Sequence, residues 1–357
     1  MRIVCSFNKL GIEAQYWKRE IEAASDAEHT FIPFDHTPYL NPYRYLEAWQ
    51  LDRLYRSGSS ELRSMYRDLR AVVGDMGADA LIVNNCPPYH PEFLKDLNVY
   101  RVLNSSDDPD STYRRNIPYL HAYHHVLFAD PVYSADLDMQ QKMRYCGMAN
   151  ADWCPLGVMD FEMDANATED SLARQDRDIE VVYVGSFFRQ KLPLIAEVKR
   201  AMGRRVRIYG WYKPKHMAYF IARHGYPGWI RSVSFDERRS LYQRARIGYN
   251  IHWNEYGLGN QRLYHLPANG VMQISDCAEH LHRVFEVGRE IEAYRNVDEL
   301  IDKLRFYLAR PEERERIALA GFRRTMKEYR FGPLLRRAAD LIGDGMRRVG
   351  WTANDGR

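Results

Sequence analysis

A short segment in the second half of the chain combines a glycine with two positive charges. Gly185, Ser186, Arg189 and Lys191 follow an apolar run that predicts a strand, and they precede a predicted helix. Glycine allows a ligand to approach the backbone closely, and the unpaired amides at the start of a helix favour an anion. These residues therefore predict a site for a diphosphate, and the alternative is a tight turn with two solvated cations.

A second glycine-rich segment, residues 257–276, predicts a loop, a short helix and a buried strand. Gly270 is placed to end the helix. Asn260 and Arg262 fall near the helix start, where they would face a ligand. Arg262 and the two cations of the first segment would stabilise a leaving diphosphate electrostatically. Such charge can replace a divalent metal, so we predict no metal requirement.

The first half of the chain offers carboxylates that could accept a proton. Asp107 and Asp108 follow the predicted strand Val99–Leu103, and either could act as a general base toward a hydroxyl group. The alternative is a turn in which these side chains bond to their own backbone. Residues 108–110 and 136–138 both fit the metal-binding pattern D-x-D. Two such matches in one chain show how little this pattern proves.

Three further residues of the first half are candidates for contact with a second substrate. Glu13 follows the first predicted strand, and His124 and His125 precede another. The histidines could touch a bound sugar, bind a metal or serve packing alone. No acidic residue stands at a clear ligand spacing from them, which argues against the metal.

Regular alternation of strands and helices would position these side chains. Strands separated by helices predict a parallel sheet that is buried on both faces. The predicted strands are Ile3–Ser6, Thr30–Phe34, Ala80–Asn84, Val99–Leu103, His125–Ala129, Ile179–Val184, Val206–Tyr209, Ile247–Ile251 and Val271–Ser275. The clearest predicted helices are Ser60–Asp75, Leu192–Met202, Phe235–Arg246, Arg262–Ala268, Val297–Ala309, Pro311–Tyr329 and Phe331–Val349.

The alternation stops once and then restarts, which predicts an α/β protein with two Rossmann-like lobes and a central cleft. The lobes are residues 1–160 and 178–330, with a polar, acidic linker at 161–177. Residues 331–357 form a basic amphipathic helix and a tail. This helix either crosses back to the first lobe or rests on an anionic membrane surface. Ligands of such sheets bind at the carboxyl ends of the strands.

Composition excludes several classes of protein. The 357 residues carry a net charge of +3, too small for nucleic-acid binding by bulk electrostatics. Five cysteines without a C-x-x-C pair argue for a reducing compartment. The first residues predict a strand instead of a signal peptide, and no apolar run is long enough to span a bilayer. We therefore expect a cytoplasmic protein, with peripheral membrane contact as an option.

An ordered set of segments resembles the GT-B glycosyltransferases, especially the CgeB-like group. Arg262–Gly270 resembles that group's pattern R-x-[FY]-E-x-x-A-x-G. Each segment is short, and their common order over nearly the whole chain carries the resemblance. The further matching segments are Ser105–Pro109, Pro155–Asp160, Val182–Ser186, Arg207–Gly210, Ala245–Asn250, Phe285–Tyr294, Val297–Ala309 and Pro311–Glu328.

The resemblance implies a nucleoside diphosphate sugar as co-substrate, no further cofactor, and donor contacts in the second lobe. It adds Tyr209, Gly210, Asn250, Asn269 and Gly270 to the donor-site residues. His265 stands where the family has a glutamate that binds the ribose hydroxyls. A neutral histidine accepts only one hydrogen bond, so the nucleotide or its pose remains open, and a packing role for His265 is the alternative.

The implied reaction leaves alternatives. The acceptor is not indicated: a saccharide, a protein, a lipid-linked or small molecule, or modified DNA would each fit. Inversion is favoured over retention because the E-x7-E pattern is absent, with Gly257 in place of its other acid. A nucleotide-sugar epimerase of the same fold and a non-catalytic nucleotide-binding or assembly protein are the rival interpretations.

Overall fold

The computed structural model describes residues 1–40, 46–84, 88–106, 112–210, 214–252 and 257–351, which form two compact units. The first unit is Met1–Leu156 together with the chain from Phe331 onward, and the second unit is Gly157–Arg330. Each unit has its own parallel sheet and its own hydrophobic core.

The first unit contains a six-stranded parallel sheet in the order β2-β1-β3-β4-β5-β8. Its strands are β1 (Arg2–Phe7), β2 (Thr30–Asp35), β3 (Ala80–Asn84), β4 (Tyr100–Ser105), β5 (His125–Phe128) and β8 (Ala151–Trp153), with a small hairpin of β6 (Val132–Ser134) and β7 (Leu137–Asp138). Its helices are α1 (Ile12–Ala23), α2 (Thr37–Leu40), α3 (Ala48–Arg56), α4 (Ser60–Asp75), α5 (Pro91–Lys95), α6 (Met139–Tyr145) and the last helix of the chain, α14 (Phe331–Arg348). A π-helical turn (Thr112–Asn116) and a 3₁₀ turn (Ile117–Ala122) precede β5.

The second unit contains a five-stranded parallel sheet in the order β10-β9-β11-β12-β13. Its strands are β9 (Ile179–Val184), β10 (Val206–Tyr209), β11 (Ala245–Asn250), β12 (Met272–Ser275) and β13 (Glu292–Ala293). Its helices are α7 (Glu169–Ala173), α8 (Leu192–Met202), α9 (Pro214–His224), α10 (Phe235–Gln243), α11 (Arg262–Ala268), α12 (Val297–Leu308) and α13 (Pro311–Glu328). Short 3₁₀ turns lie at Asp160–Glu162, Arg189–Lys191, Gly203–Arg205 and Leu281–Arg283.

Local sequence explains why these elements begin where they do. The Ser59 hydroxyl accepts a hydrogen bond from the amide of Leu62 and starts α4, and Ser234 and Glu237 form a capping box at α10. The sheet strands are apolar and nearly fully buried, as parallel strands between two layers of helices must be. Most strands and helices therefore match their predicted bounds within two residues.

Helix α14 belongs to the first unit, as the crossing-back interpretation predicted. Leu334, Ala338 and Ile342 are buried in the same core as the strands of the first sheet. This packing covers the apolar face on which the membrane alternative rested. Within the described residues, no helix is both long and apolar enough to cross a membrane.

Residues 161–177, which the sequence predicts as a linker, lie inside the second unit. Met163 and Leu172 are buried, and Glu162 at the start of the segment is buried as well. Thr168 caps α7 by accepting a hydrogen bond from the amide of Ser171. The segment is polar in composition, yet its few apolar side chains pack onto the second unit, and the unit boundary falls at residue 157 instead.

Gly345 should be essential for the packing of α14. A Cβ atom at this position would lie 2.6 Å from Nδ1 of His125 and 2.8 Å from the Tyr100 hydroxyl. We expect Gly345→Ala to lower the free energy of unfolding by about 1–3 kcal/mol, as overpacking of a core does. The control is Gly343→Ala in the same helix, where the nearest atom, Nη1 of Arg347, is 3.6 Å away. Urea denaturation would contradict this account if both variants were equally stable.

Candidate functional site

Polar side chains gather where β9 and β11 end. The strand order reverses at this point, and ligands of open α/β sheets bind at such switch points. Arg262, the first residue of α11, spans it: Nε donates to the Val184 carbonyl oxygen at 2.7 Å and Nη1 donates to Oδ1 of Asn250 at 2.6 Å. Its guanidinium also lies over the Tyr183 ring, 4.6 Å from the centroid. The charge is therefore fixed in place, and the residue is only 8% exposed.

Lys191 is a second buried cation at the same edge. It is 5% exposed, and its Nζ donates to the Ile251 carbonyl oxygen at 2.8 Å. The hydrogen-bond acceptors of both cations are neutral oxygens, and among the described residues neither cation forms an ion pair. Burial, together with the charge of Arg262, lowers the pKa of Lys191 to about 7. Buried positive charge is costly without an anion beside it, so this edge is suited to bind one.

Gly185 and Gly210 leave room at this edge that a Cβ atom would fill. A Cβ at Gly185 would lie 1.9 Å from Nη2 of Arg262, and a Cβ at Gly210, where φ is 152°, would lie 1.8 Å from the Gly185 oxygen. From the sequence, Gly185 is predicted to allow the close approach of a ligand. The structure shows that the guanidinium of Arg262 makes this close approach.

Other predicted donor-side residues surround the two cations more loosely. Ser186 and Arg189 are exposed in the loop after β9, and the Arg189 guanidinium lies 5.3 Å from the Tyr219 ring centroid. Tyr209 is half-buried at the end of β10. In the first turn of α8, the Leu192 amide already donates to the Arg189 carbonyl oxygen and Pro193 has no N–H, so the predicted contribution of helix amides to anion binding is small.

A hydrogen-bonded chain that the sequence analysis missed runs along this edge. Oδ1 of Asn250 accepts from Arg262 and also from Nδ2 of Asn260 at 3.0 Å. Nδ2 of Asn250 lies 3.4 Å from Nε2 of His252, and Nδ1 of His252 lies 2.6 Å from Oδ1 of Asp276. The sequence offers a signal only by position, because His252 lies two residues after the end of β11 and Asp276 directly follows the neighbouring strand β12.

His252, Asp276 and Cys277 bring atoms of metal-ligand type within 4.8 Å of one another. Cys277 has a φ of 58°, the one positive value at a non-glycine residue in the described ranges. Asp276, however, already accepts two hydrogen bonds from His252, one from the ring and one from the backbone amide at 2.7 Å. Lys191 and Arg262, which interact electrostatically with Asp276, add positive charge at this edge and disfavour a further positive ion.

Three predicted donor-site residues lie deeper in the second unit. His265 is 2% exposed, and its Nε2 lies 2.9 Å from Oε2 of Glu162. Burial lowers the pKa of His265. Burial also raises the pKa of Glu162, but His265 and Arg238 outweigh this effect and bring it to about 2. Asn269 donates to the backbone oxygens of Glu162 and His265, and Gly270 ends α11 with a φ of 65°. His265 thus has the packing role that was its alternative.

The carboxyl edge of the first sheet is also polar. Glu13, in the first turn of α1, pairs with Lys9 at 2.7 Å. Ser6 in β1 hydrogen-bonds with Nδ1 of His36 at 2.9 Å and with the Tyr89 hydroxyl at 2.6 Å. Glu13 thus lies at the edge where an acceptor contact was predicted, while His36 and Tyr89 were not predicted.

Asp107 and Asp108, the candidate bases, lie outside the described residues. The strand before them, β4, ends at Ser105, and Nδ2 of Asn104 donates to Oδ1 of Asn84 at 3.0 Å. β4 is parallel to its neighbours, so its carboxyl end lies at the same edge as those of β1 and β3.

His124 and His125 lie at the opposite, amino edge of the first sheet. Nδ1 of His124 accepts from the amide of Arg101 at 3.0 Å, and its ring lies 4.7 Å from the Trp351 ring. Nε2 of His125 lies 2.9 Å from Oδ2 of Asp152. Burial and Arg101 lower the pKa of His124 to about 4. Both side chains stabilise the unit, and the acceptor-side prediction for them finds no support.

Part of the chain is similar to a known protein family. Residues 189–341 match the model of the glycosyl transferase-like family. This range begins at Arg189 and includes Lys191, Arg262, His252 and Asp276. Among curated proteins, none matches the sequence.

Three solved structures resemble the chain over nearly its whole length. Sucrose-phosphate synthase from Thermosynechococcus elongatus has a TM-score of 0.66 at 11% identity and covers 97% of this chain and 99% of its own. The structure of Anabaena Alr3699/HepE in complex with UDP-glucose has a TM-score of 0.62 at 9% identity, and the match covers 96% of this chain and 100% of that one. A putative UDP-N-acetylglucosamine 2-epimerase from Listeria monocytogenes has a TM-score of 0.58 at 10% identity, and the match covers 97% of each chain. At such identities the likeness concerns the fold, and the predicted GT-B class of two Rossmann-like units is confirmed.

The buried ammonium of Lys191 should make stability depend on pH. Burial holds its pKa in the folded chain below the value of lysine in the unfolded chain. The unfolded state therefore binds more protons from about pH 7 to about pH 10. Relative to Lys191→Met, the wild-type chain should gain stability across this range, by up to about 1.4 kcal/mol per pH unit.

Urea denaturation at several pH values measures this difference. Arg262, Asp276 and Cys277, the titratable groups that act on Lys191, are present in both proteins. The same substitution at the exposed Lys327 serves as the control and should show no such dependence. A stability difference between wild type and Lys191→Met that stays constant with pH would contradict the buried ammonium.

Proposed function

We propose that this chain is a glycosyltransferase that transfers a sugar from a nucleoside diphosphate donor to an acceptor hydroxyl group. The observation that carries the proposal is the pair of buried cations, Lys191 and Arg262, at the switch point of the second sheet. The match to the glycosyl transferase-like family covers the same residues. The ordered sequence segments favour the CgeB-like group within that class.

The two cations have the chemistry that a departing diphosphate needs. Breaking the bond between sugar and phosphate leaves negative charge on the diphosphate, and fixed positive charge in a partly dry site stabilises it strongly. Arg262 is held by two hydrogen bonds before any ligand arrives, so little reorganisation is required. Its remaining donors and the ammonium of Lys191 would face the phosphates.

We also propose that the reaction needs no divalent metal. Lys191 and Arg262 supply charge of the kind that a magnesium or manganese ion would otherwise provide. Asp276, the carboxylate that acts electrostatically on both cations, is engaged with His252.

Nucleotide binding tests the proposal directly. UDP is the first nucleotide to try, since a structure with the same fold was determined with UDP-glucose. With EDTA present, UDP at 100 times its dissociation constant should add about 2.7 kcal/mol to the apparent stability of the chain. Arg262→Met should lower the affinity for UDP at least about tenfold, which is a loss of about 1.4 kcal/mol in binding free energy. Isothermal titration calorimetry measures this change.

The matched control is Arg205→Met in the same unit. Arg205 is half exposed and pairs with Glu180 away from the carboxyl edge, so UDP affinity should not change. Binding that appears only with Mn²⁺ would contradict the metal-independent site. Absence of binding for UDP, GDP, ADP, dTDP and CDP would contradict the proposed function.

For the acceptor side we propose an aspartate general base at Asp107 or Asp108 and therefore inversion. General-base catalysis contributes about 10²–10⁴ in rate. The Asn variant of the base should lose turnover by at least about 100-fold and keep UDP affinity, because the carboxylate acts on the acceptor. Transfer assays on Asp107→Asn and Asp108→Asn measure this. If both variants retain full turnover, the base lies elsewhere.

An epimerase is the second candidate, favoured by the structural likeness to the putative Listeria 2-epimerase. The two functions differ in their need for a second substrate. An epimerase converts its nucleotide sugar into an epimer without an acceptor, whereas a transferase leaves the nucleotide sugar unchanged until an acceptor is supplied. Product analysis after incubation with the nucleotide sugar alone distinguishes them.

A further inference from the structure

Asp276 and His252 form a rigid pair at the end of β12 and β11. The Asp276 carboxylate accepts from the backbone amide of His252 at 2.7 Å and from its ring Nδ1 at 2.6 Å. His252 is only 4% exposed. Two contacts from one carboxylate fix both the position and the orientation of the imidazole.

This pairing also fixes which ring nitrogen carries the proton. A carboxylate only accepts, so Nδ1 bears a hydrogen, and Nε2 presents a lone pair because it faces the NH₂ group of Asn250, which is a donor. That lone pair faces Nδ2 of Asn250 at 3.4 Å. The amide of Asn250 must then direct Oδ1 the other way, toward Nη1 of Arg262 at 2.6 Å and Nδ2 of Asn260 at 3.0 Å.

From this chain of contacts, we propose that Asp276 and His252 are positioning residues that act through Asn250 to hold Arg262 in its anion-binding pose. The proposal rests on the proposed function, because Arg262 must bind the phosphates for its pose to matter. Neither Asp276 nor His252 needs to touch the donor.

An isosteric change at Asp276 separates this role from simple electrostatics. In Asp276→Asn the amide oxygen stays with the His252 backbone N–H, and the new NH₂ group faces Nδ1. The ring proton then moves to Nε2, so two donors, Nε2 and the NH₂ of Asn250, face each other. Their repulsion displaces the Asn250 side chain and weakens the hydrogen bond that it accepts from Arg262. The substitution also removes a negative charge near an anion site, which alone would strengthen binding. A positioning role therefore predicts weaker anion binding in Asp276→Asn, whereas a purely electrostatic role predicts tighter binding.

The experiment is a double-mutant cycle with UDP and with inorganic pyrophosphate, measured by calorimetry in the full chain. In the wild-type background, Asp276→Asn should weaken the binding of both ligands about tenfold. In the Arg262→Met background it should not weaken the binding of either ligand further, because substitutions of residues that act through one another do not have additive effects on affinity. The matched control is Tyr294→Phe, which removes a hydrogen bond to the backbone oxygen of Asn250 at 2.9 Å and leaves its amide alone.

A second pair of variants keeps the proposal testable if Asp276→Asn does not fold. Gln at position 252 can still accept from Asn250 through its side-chain oxygen, and Leu cannot. His252→Gln should therefore bind UDP within about threefold of wild type, and His252→Leu about tenfold more weakly.

Each remaining outcome overturns the proposal. Unchanged or tighter binding by Asp276→Asn, additive losses in the double mutant, or equal losses for His252→Gln and His252→Leu would leave Arg262 independent of the pair while UDP still binds. A wild-type chain that binds neither UDP nor pyrophosphate would overturn the proposed function, and this inference with it.

Discussion

Two positive charges inside the second unit, on Lys191 and Arg262, have only neutral oxygens as direct hydrogen-bond acceptors within the described part of the chain. Burying such charges costs free energy that the unit must recover through its other contacts. The surrounding sequence is constrained accordingly. Gly185 leaves room for the guanidinium, Gly210 leaves room for the backbone of Gly185, and Asn250 supplies an oxygen at the required position. An anion that enters this edge removes the remaining cost.

Sheet topology explains why these groups meet. β9, β11 and β12 are neighbours and run parallel, so Val184, Asn250 and the residues after Ser275 end at one edge. α11 begins at this edge, and its first residue, Arg262, reaches back over β9. The site thus belongs to a single unit and is built from the ends of strands that are adjacent in its sheet.

The sequence predicted most of the fold because each strand is a short apolar run and each helix has its own cap or apolar face. The helix predicted at Phe235–Arg246 ends earlier, at Gln243, because Ala245 and Arg246 already belong to β11. The site was predicted only in part. Lys191 and Arg262 could be predicted because they are positively charged residues in segments that contain glycine. His252 and Asp276 could not, because only their contact in the folded chain identifies them. Likewise, no local pattern shows that His265 meets Glu162.

A crystal structure of the chain with UDP tests the central claim most directly. The account predicts phosphate oxygens about 3 Å from Nζ of Lys191 and from the Arg262 guanidinium, with the bond from Arg262 to Asn250 retained. Phosphates bound elsewhere on the chain, with Lys191 and Arg262 keeping only their internal partners, would contradict it.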